Sequence, residues 1–136
     1  MKKVILGVLV LGSLAYGAQY TKADRIKDMR TMAAAMNTIE SGFFYNNYET
    51  VAAGVTTLSE TIENVKPPIE EETEKNPMAR YMNGKIKMTN KIVKKINQKS
   101  LTILQRFKSG DSAQAVQAYT KILGQCMKCH REIRRW

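Results

Sequence analysis

Apolar residues recur at steps of three and four along four separate stretches of this chain. No stretch shows the sustained alternation, with a period of two, that marks a half-buried strand. Met29, Met32, Met36, Ile39 and Phe43 form the first stripe, at the seam spacing of a bundle helix. Thr21-Lys22-Ala23-Asp24 stands ahead of it as a capping box. The threonine oxygen can accept an orphan backbone N–H, and Asp24 can reach back. This predicts helix A from Thr21 to about Phe44. Asn46 and Asn47 break the run and cap helix B, with Glu49 in its first turn. Helix B carries Val51, Val55, Leu58, Ile62 and Val65, and Lys66-Pro67-Pro68 ends it, because proline lacks a donor and restricts its predecessor.

Asn76-Pro77 opens helix C as N-cap and first helical residue. Its stripe includes Met82, Ile86, Val93, Ile96, Ile103 and Phe107, and its other face is lysine-rich: Lys85, Lys87, Lys91, Lys94, Lys95 and Lys99. Ser109-Gly110 closes it, glycine suiting the left-handed position after a helix. Asp111-Ser112-Ala113-Gln114 caps helix D, whose stripe is Val116, Tyr119, Leu123, Cys126, His130 and Ile133. Four amphipathic helices with mostly short connections predict an all-α, antiparallel up-down-up-down four-helix bundle. The loop at 66–76 holds an acidic run, Glu70-Glu71-Glu72-Thr73-Glu74, which reads as solvated surface.

Residues 1–18 do not belong to that fold. Lys2 and Lys3 precede a short apolar run from Val4 to Leu14, and Ala15-Tyr16-Gly17 offers small residues for cleavage. This is the pattern of a secretory signal peptide. The run falls short of the ~20 apolar residues of a comfortable membrane span, although an uncleaved anchor is the rival reading. The expectation is a signal peptide at 1–18, a bundle domain at 19–136, periplasmic localisation and no membrane insertion after cleavage. Formal net charge is +10, and loss of Lys2 and Lys3 leaves +8. Nucleic acid is not an expected partner, because an exported chain without basic-aromatic interleaving lacks the footprint. The charge fits a solvated basic face, an acidic redox partner or an anionic membrane surface.

The chemistry sits near the end of helix D, in Cys126-Met127-Lys128-Cys129-His130. This is the spacing of covalent haem attachment: two thiols for thioether bonds, and an imidazole for the iron. On a helix, Cys129 lies one turn beyond Cys126, and so does His130. A redox dithiol of the thioredoxin kind belongs beside a βαβ pattern, which is absent. Tetrahedral zinc needs more Cys or His ligands than the chain supplies. A structural disulfide is the remaining bland reading. The expected cofactor is one covalent haem c with its iron.

His130 is the only histidine. The sixth iron position therefore falls to Met, another weak ligand, water or nothing. In the expected bundle, the start of helix A and the end of helix D share one end. Met29 stands ~12 Å from that end and His130 ~9 Å, at 1.5 Å per residue. Met32 lies ~4.5 Å deeper, and Met82 on helix C is a rival by height. A methionine stripe at helical spacing is also ordinary core filling.

Cys126-Met127-Lys128-Cys129-His130-Arg131-Glu132-Ile133-Arg134 is similar to the CxxCHxx(aromatic)R motif of the cytochrome c-prime family of four-helix-bundle haem proteins. Ile133 stands where that family usually has an aromatic. Arg25, Met29, Met32, Met36 and Ile39 match its arginine followed by apolar residues at +4, +7, +11 and +14. The resemblance extends from helix A to the C-terminus. It includes the related soluble periplasmic b-type cytochrome, which holds its haem non-covalently. It implies that Met29 faces the distal side of the haem. High-spin members place a non-ligating apolar residue there, whereas low-spin members and the b-type relative use methionine as sixth ligand. It also implies a position for Arg134 near the proximal face and for Arg25 near a propionate.

The expected function is a mono-haem electron carrier with His130 and Met29 as axial ligands, serving periplasmic redox partners of acidic character. The alternative is a five-coordinate, high-spin protein that binds nitric oxide or carbon monoxide. An enzyme is not expected, because the distal helix has no histidine to move protons. A homodimer through helices A and B is compatible with the stripes but not demanded by them.

Overall fold

The computed structural model describes residues 20–65 and 77–134, with side chains over 20–65 and 84–132. The expected signal peptide at 1–18, the expected loop at 66–76 and the side chains of Met82, Ile133 and Arg134 lie outside the described residues. Among the described residues are four helices: α1 (Lys22–Phe44), α2 (Tyr48–Glu63), α3 (Pro77–Lys108) and α4 (Ser112–Arg134). No strand occurs among them. The helices pack as a four-helix bundle around one core, and none is long and apolar enough to cross a membrane.

Local chemistry sets the helix ends. The Thr21 hydroxyl accepts from the Asp24 N–H at 3.2 Å, and the Thr21 N–H donates to Asp24 Oδ2 at 2.9 Å. Both orphan donors are thereby satisfied. The Thr21 hydroxyl also donates to Asp24 Oδ2 at 2.6 Å, and this bond first, with that from the Thr21 N–H second, holds the Asp24 carboxyl below its usual range. Asn47 caps α2 by accepting from the Thr50 N–H at 2.9 Å. Asn46 takes the left-handed turn between α1 and α2 at φ 48°, a region asparagine tolerates better than most residues. Gly110, at φ 80°, does the same between α3 and α4. Asp111 then accepts from the Gln114 N–H at 3.1 Å.

The core holds Met36 and Ile39 from α1, and Val51, Val55, Leu58 and Ile62 from α2. Ile92, Val93, Ile96, Ile103 and Phe107 come from α3. Each fully buried side chain of this size contributes about 1.5–3 kcal/mol by leaving water. α1 packs along α2, and α3 along α4, while α2 and α3 meet over a shorter stretch. α1 and α4, expected as neighbours, share no backbone interface of that extent. They meet at one end, where the Phe43 ring lies 5.8 Å from the Tyr119 ring and 5.2 Å from that of Phe107.

The buried face of α4 differs from the expected stripe. Ala115, Ala118 and Ile122 are buried, whereas Val116 and Leu123 stay 43% and 42% exposed. Cys126 and His130 are half-buried, and Cys126 packs against the core. The cause is helix spacing. A pattern weighted by bulk picks valine and leucine, but small residues at the contact let helices approach more closely. Alanine gives a weak hydrophobic signal and a strong packing advantage.

Close approach also governs α1 and α2. A Cβ on Gly54 would stand 2.7 Å from Ile39 Cγ1, 2.9 Å from the Ala35 carbonyl oxygen and 2.9 Å from the Ile39 nitrogen. Two of those neighbours are backbone and cannot swing aside. Gly54→Ala is therefore expected to destabilise the fold by about 2 kcal/mol. Gly84 has nothing within 4 Å of such a Cβ, so Gly84→Ala should stabilise by about 0.5–1 kcal/mol. Urea unfolding midpoints of the two variants check the opposite signs.

Candidate metal centre

The last three turns of α4 bring the expected group together. Cys126 and Cys129 are both half-buried and unbridged. Both pack against the core cluster, beside which Met32 of α1 and Met88 of α3 are also seated. His130 follows Cys129 directly and is half-buried too. Met127 and Lys128, between the cysteines, are exposed. At 3.6 residues per turn, positions 126, 129 and 130 fall within one arc of ~100°, with 127 just beyond its His130 edge and 128 well outside it.

Burial pushes the Cys126 thiol up, and the neighbouring Cys129 pushes it further. Burial alone raises Cys129. Both sulfurs are accordingly neutral thiols at pH 7, poor nucleophiles and poor ligands for a hard cation. Among the described residues no three His, Cys, Asp or Glu side chains are grouped to hold a metal ion. A zinc site of the usual four-ligand kind thus has no support among them. What remains is a donor set suited to a porphyrin. It has two unbridged thiols one turn apart and one imidazole beside them. These residues fit a covalently held haem.

The other expected residues are placed as follows. Met29 is half-buried on α1, outside the group of side chains seated on the core. Arg25 is exposed, and its guanidinium lies 5.7 Å from the centroid of the Tyr20 ring. The Tyr20 hydroxyl in turn donates to Asp28 Oδ2 at 2.7 Å. Burial first, and that hydrogen bond second, push the Tyr20 phenol up to about 12. The Arg134 side chain lies outside the described residues.

Two residues escaped the sequence reading. Met88 reaches the same core cluster as the cysteines, and the expected helix C stripe passed over it. Lys85 belongs to the lysine-rich face expected of helix C. It is instead half-buried, with Nζ 3.0 Å from Glu132 Oε2 and 3.1 Å from the Glu132 carbonyl oxygen. It ties α3 to the last turn of α4, two residues beyond His130. A lysine bonding a helix's final carbonyls satisfies orphan acceptors and favours the macrodipole. The same lysine depresses the Glu132 carboxyl, by the hydrogen bond first and its charge second. Nothing in the spacing of the lysines distinguishes Lys85 from its neighbours.

In the haem-free chain, alkylation by iodoacetamide should be slow at pH 7 and accelerate only above the usual thiol range. Cys129 should react before Cys126, which carries the additional upward push. Peptide mass spectrometry across a pH series reads both the rate and the order.

Compared with known proteins, the chain matches no family model, no curated protein and no solved structure.

Proposed function

We propose that this protein is an exported mono-haem c-type cytochrome that carries single electrons. The observation that carries the reading is the state of the α4 terminus. Cys126 and Cys129 are unbridged, half-buried thiols one turn apart, with a half-buried imidazole directly after them. Thioether bonds from Cys126 and Cys129 and ligation by His130 would hold one haem c. Such a haem supplies a one-electron iron couple. The chain's own contribution is to fix the imidazole, screen the site from water and offer a sixth ligand. The signal-like pattern at 1–18 supports a periplasmic location.

Several contacts support the antiparallel order on which the distal ligand depends. Gly42 approaches Val51, and Gly54 approaches Ala35 and Ile39, so numbers rise along α1 as they fall along α2. Lys85 meets Glu132, at opposite ends of α3 and α4 in sequence. On this order the pairing of Phe43 with Tyr119 puts Met32 level with His130, eleven residues along each helix. Met29 stands one turn nearer the start of α1, ~4.5 Å away along the axis. The two candidates for the sixth ligand are thus one turn apart. Met29 is the better candidate, because Met32 is already packed against the core. Methionine opposite histidine raises the reduction potential, as a carrier facing oxidising partners requires.

The resemblance to the cytochrome c-prime family adds the same assignment for Met29, and places for Arg25 and Arg134 near the haem. Arg25 would have to leave Tyr20 to serve a propionate.

The oxidised, haem-loaded protein should show a low-spin visible spectrum with a weak sulfur-to-iron charge-transfer band. Met29→Ala should abolish the band, and Met32→Ala and Met82→Ala should keep it. A high-spin, five-coordinate spectrum of the unaltered protein would remove Met29 as a ligand and favour binding of nitric oxide or carbon monoxide.

A further inference from the structure

Charge is shared unequally between the two helix pairs. α1 and α2 together carry four Lys or Arg and six Asp or Glu, whereas α3 and α4 carry thirteen and one. The one acid, Glu132, is already held by Lys85 at 3.0 Å. Lys87, Lys91, Lys94 and Lys95 are exposed on α3. They fill an arc of ~100° centred opposite the buried line through Thr89, Ile96 and Phe107. They make no ion pair among the described residues. Lys121 and Lys128 are exposed on α4. They share an arc of ~40° with Glu132, the residue that meets α3. On the antiparallel order, that contact brings Lys128 level with Thr89 and Lys121 level with Ile96. Six exposed lysines thus stand on adjoining helices within ~14 Å of length. Like charges four residues apart, as at 87, 91 and 95, weaken a helix, so the row does not serve the stability of the fold.

We propose that these six lysines are a peripheral docking surface for the anionic phospholipid headgroups of a membrane, on which the bundle lies with α3 and α4 facing the lipid. The surface stands without the haem reading above, whereas its use in orienting the cofactor rests on it. The chemistry of the patch selects the occupant. Lysine is a strongly hydrated point charge, depleted in protein interfaces, whose centres rely on apolar and aromatic side chains. On α3 the exposed large apolar side chain is Leu101, ~9 Å beyond Lys95. On α4, Val116, Leu123 and Met127 lie about 100° or more round the helix from Lys121 and Lys128. A diffuse negative plane needs no shape match and attracts each nearby lysine by charge alone. A second copy of this chain would set the patch against its own like charges, which is repulsive. The contact is peripheral, since no helix among the described residues is apolar enough to enter the bilayer. His130 stands about 160° or more round α4 from Lys121 and Lys128. A haem held there would face water and soluble partners while the lysines face lipid.

The test is co-sedimentation of the full exported chain with vesicles of phosphatidylcholine, alone or mixed with phosphatidylglycerol. Binding should require phosphatidylglycerol and vanish at about 1 M salt, where the Debye length is ~3 Å. Lys87→Gln with Lys91→Gln and Lys95→Gln should weaken it about a hundredfold, at roughly fivefold per lysine. Lys121→Gln with Lys128→Gln should weaken it about twentyfold on the same scale. Lys22→Gln with Lys27→Gln and Arg30→Gln removes as much charge from α1 and should cost less than about tenfold, because screening hides charges far from the lipid. The α3 variant sheds like-charge pairs, so its urea midpoint should hold or rise, and lost binding is then not lost folding. Equal losses from the two triple variants would overturn the proposal. So would binding to phosphatidylcholine alone, binding that outlasts high salt, self-association at low salt, or no binding. Binding that appears only with Glu70→Gln, Glu71→Gln, Glu72→Gln and Glu74→Gln would give the lysines to the chain's own acids and overturn it as well. A soluble acidic flavodoxin that binds these lysines while vesicles do not would do the same. The visible spectrum separates two failures. A chain without haem that still binds vesicles sinks the functional reading alone, while a haem-loaded chain that ignores them sinks only this one.

Discussion

Everything proposed for this chain depends on how α4 is held. Two thiols and an imidazole at positions 126, 129 and 130 share a side only because the segment is helical. That side lies half-buried beside the core only because α4 is fixed in rotation. Ala115, Ala118 and Ile122 supply the fixing by burying completely or nearly so. Lys85 supplies it at the far end by gripping both the carboxylate and the carbonyl of Glu132. A rotation of α4 by one residue, about 100°, would carry His130 off that side and put Cys129 or Arg131 in its place, and burying the arginine's unpaired charge would cost several kcal/mol.

Much of this was legible in the sequence. The caps at Thr21, Asn47 and Asp111, the first-turn proline at 77 and the left-handed Gly110 follow from backbone chemistry that acts over three or four residues. The structure has each of them where the sequence puts it. The four helices and most of the core follow from periodicity. Helix D's buried face did not, because valine and leucine outweigh alanine in hydrophobicity while alanine wins in contact geometry. Lys85 and Met88 were also hidden. Their roles come from what stands opposite them on another helix, and one chain's spacing carries no record of that.

The same misreading of α4 turned out to be informative. A stripe expected in the core is half-exposed, so Val116 and Leu123 are apolar for a reason other than stability of the lone bundle. Leu123 stands seven residues before His130 and therefore shares its side of α4, while Ala115, Ala118 and Ile122 hold the helix on the core. The half-buried Met29 and the loosely joined α1–α4 side are consistent with a seam that receives a flat group rather than one closed by side chains.

The most direct measurement is the intact mass of the exported protein after unfolding in acid, together with a count of its reactive thiols. Covalent attachment through Cys126 and Cys129 predicts the chain mass plus that of one haem, with no thiol left to react. A colourless chain of unmodified mass, with both thiols free or joined to each other, would contradict it.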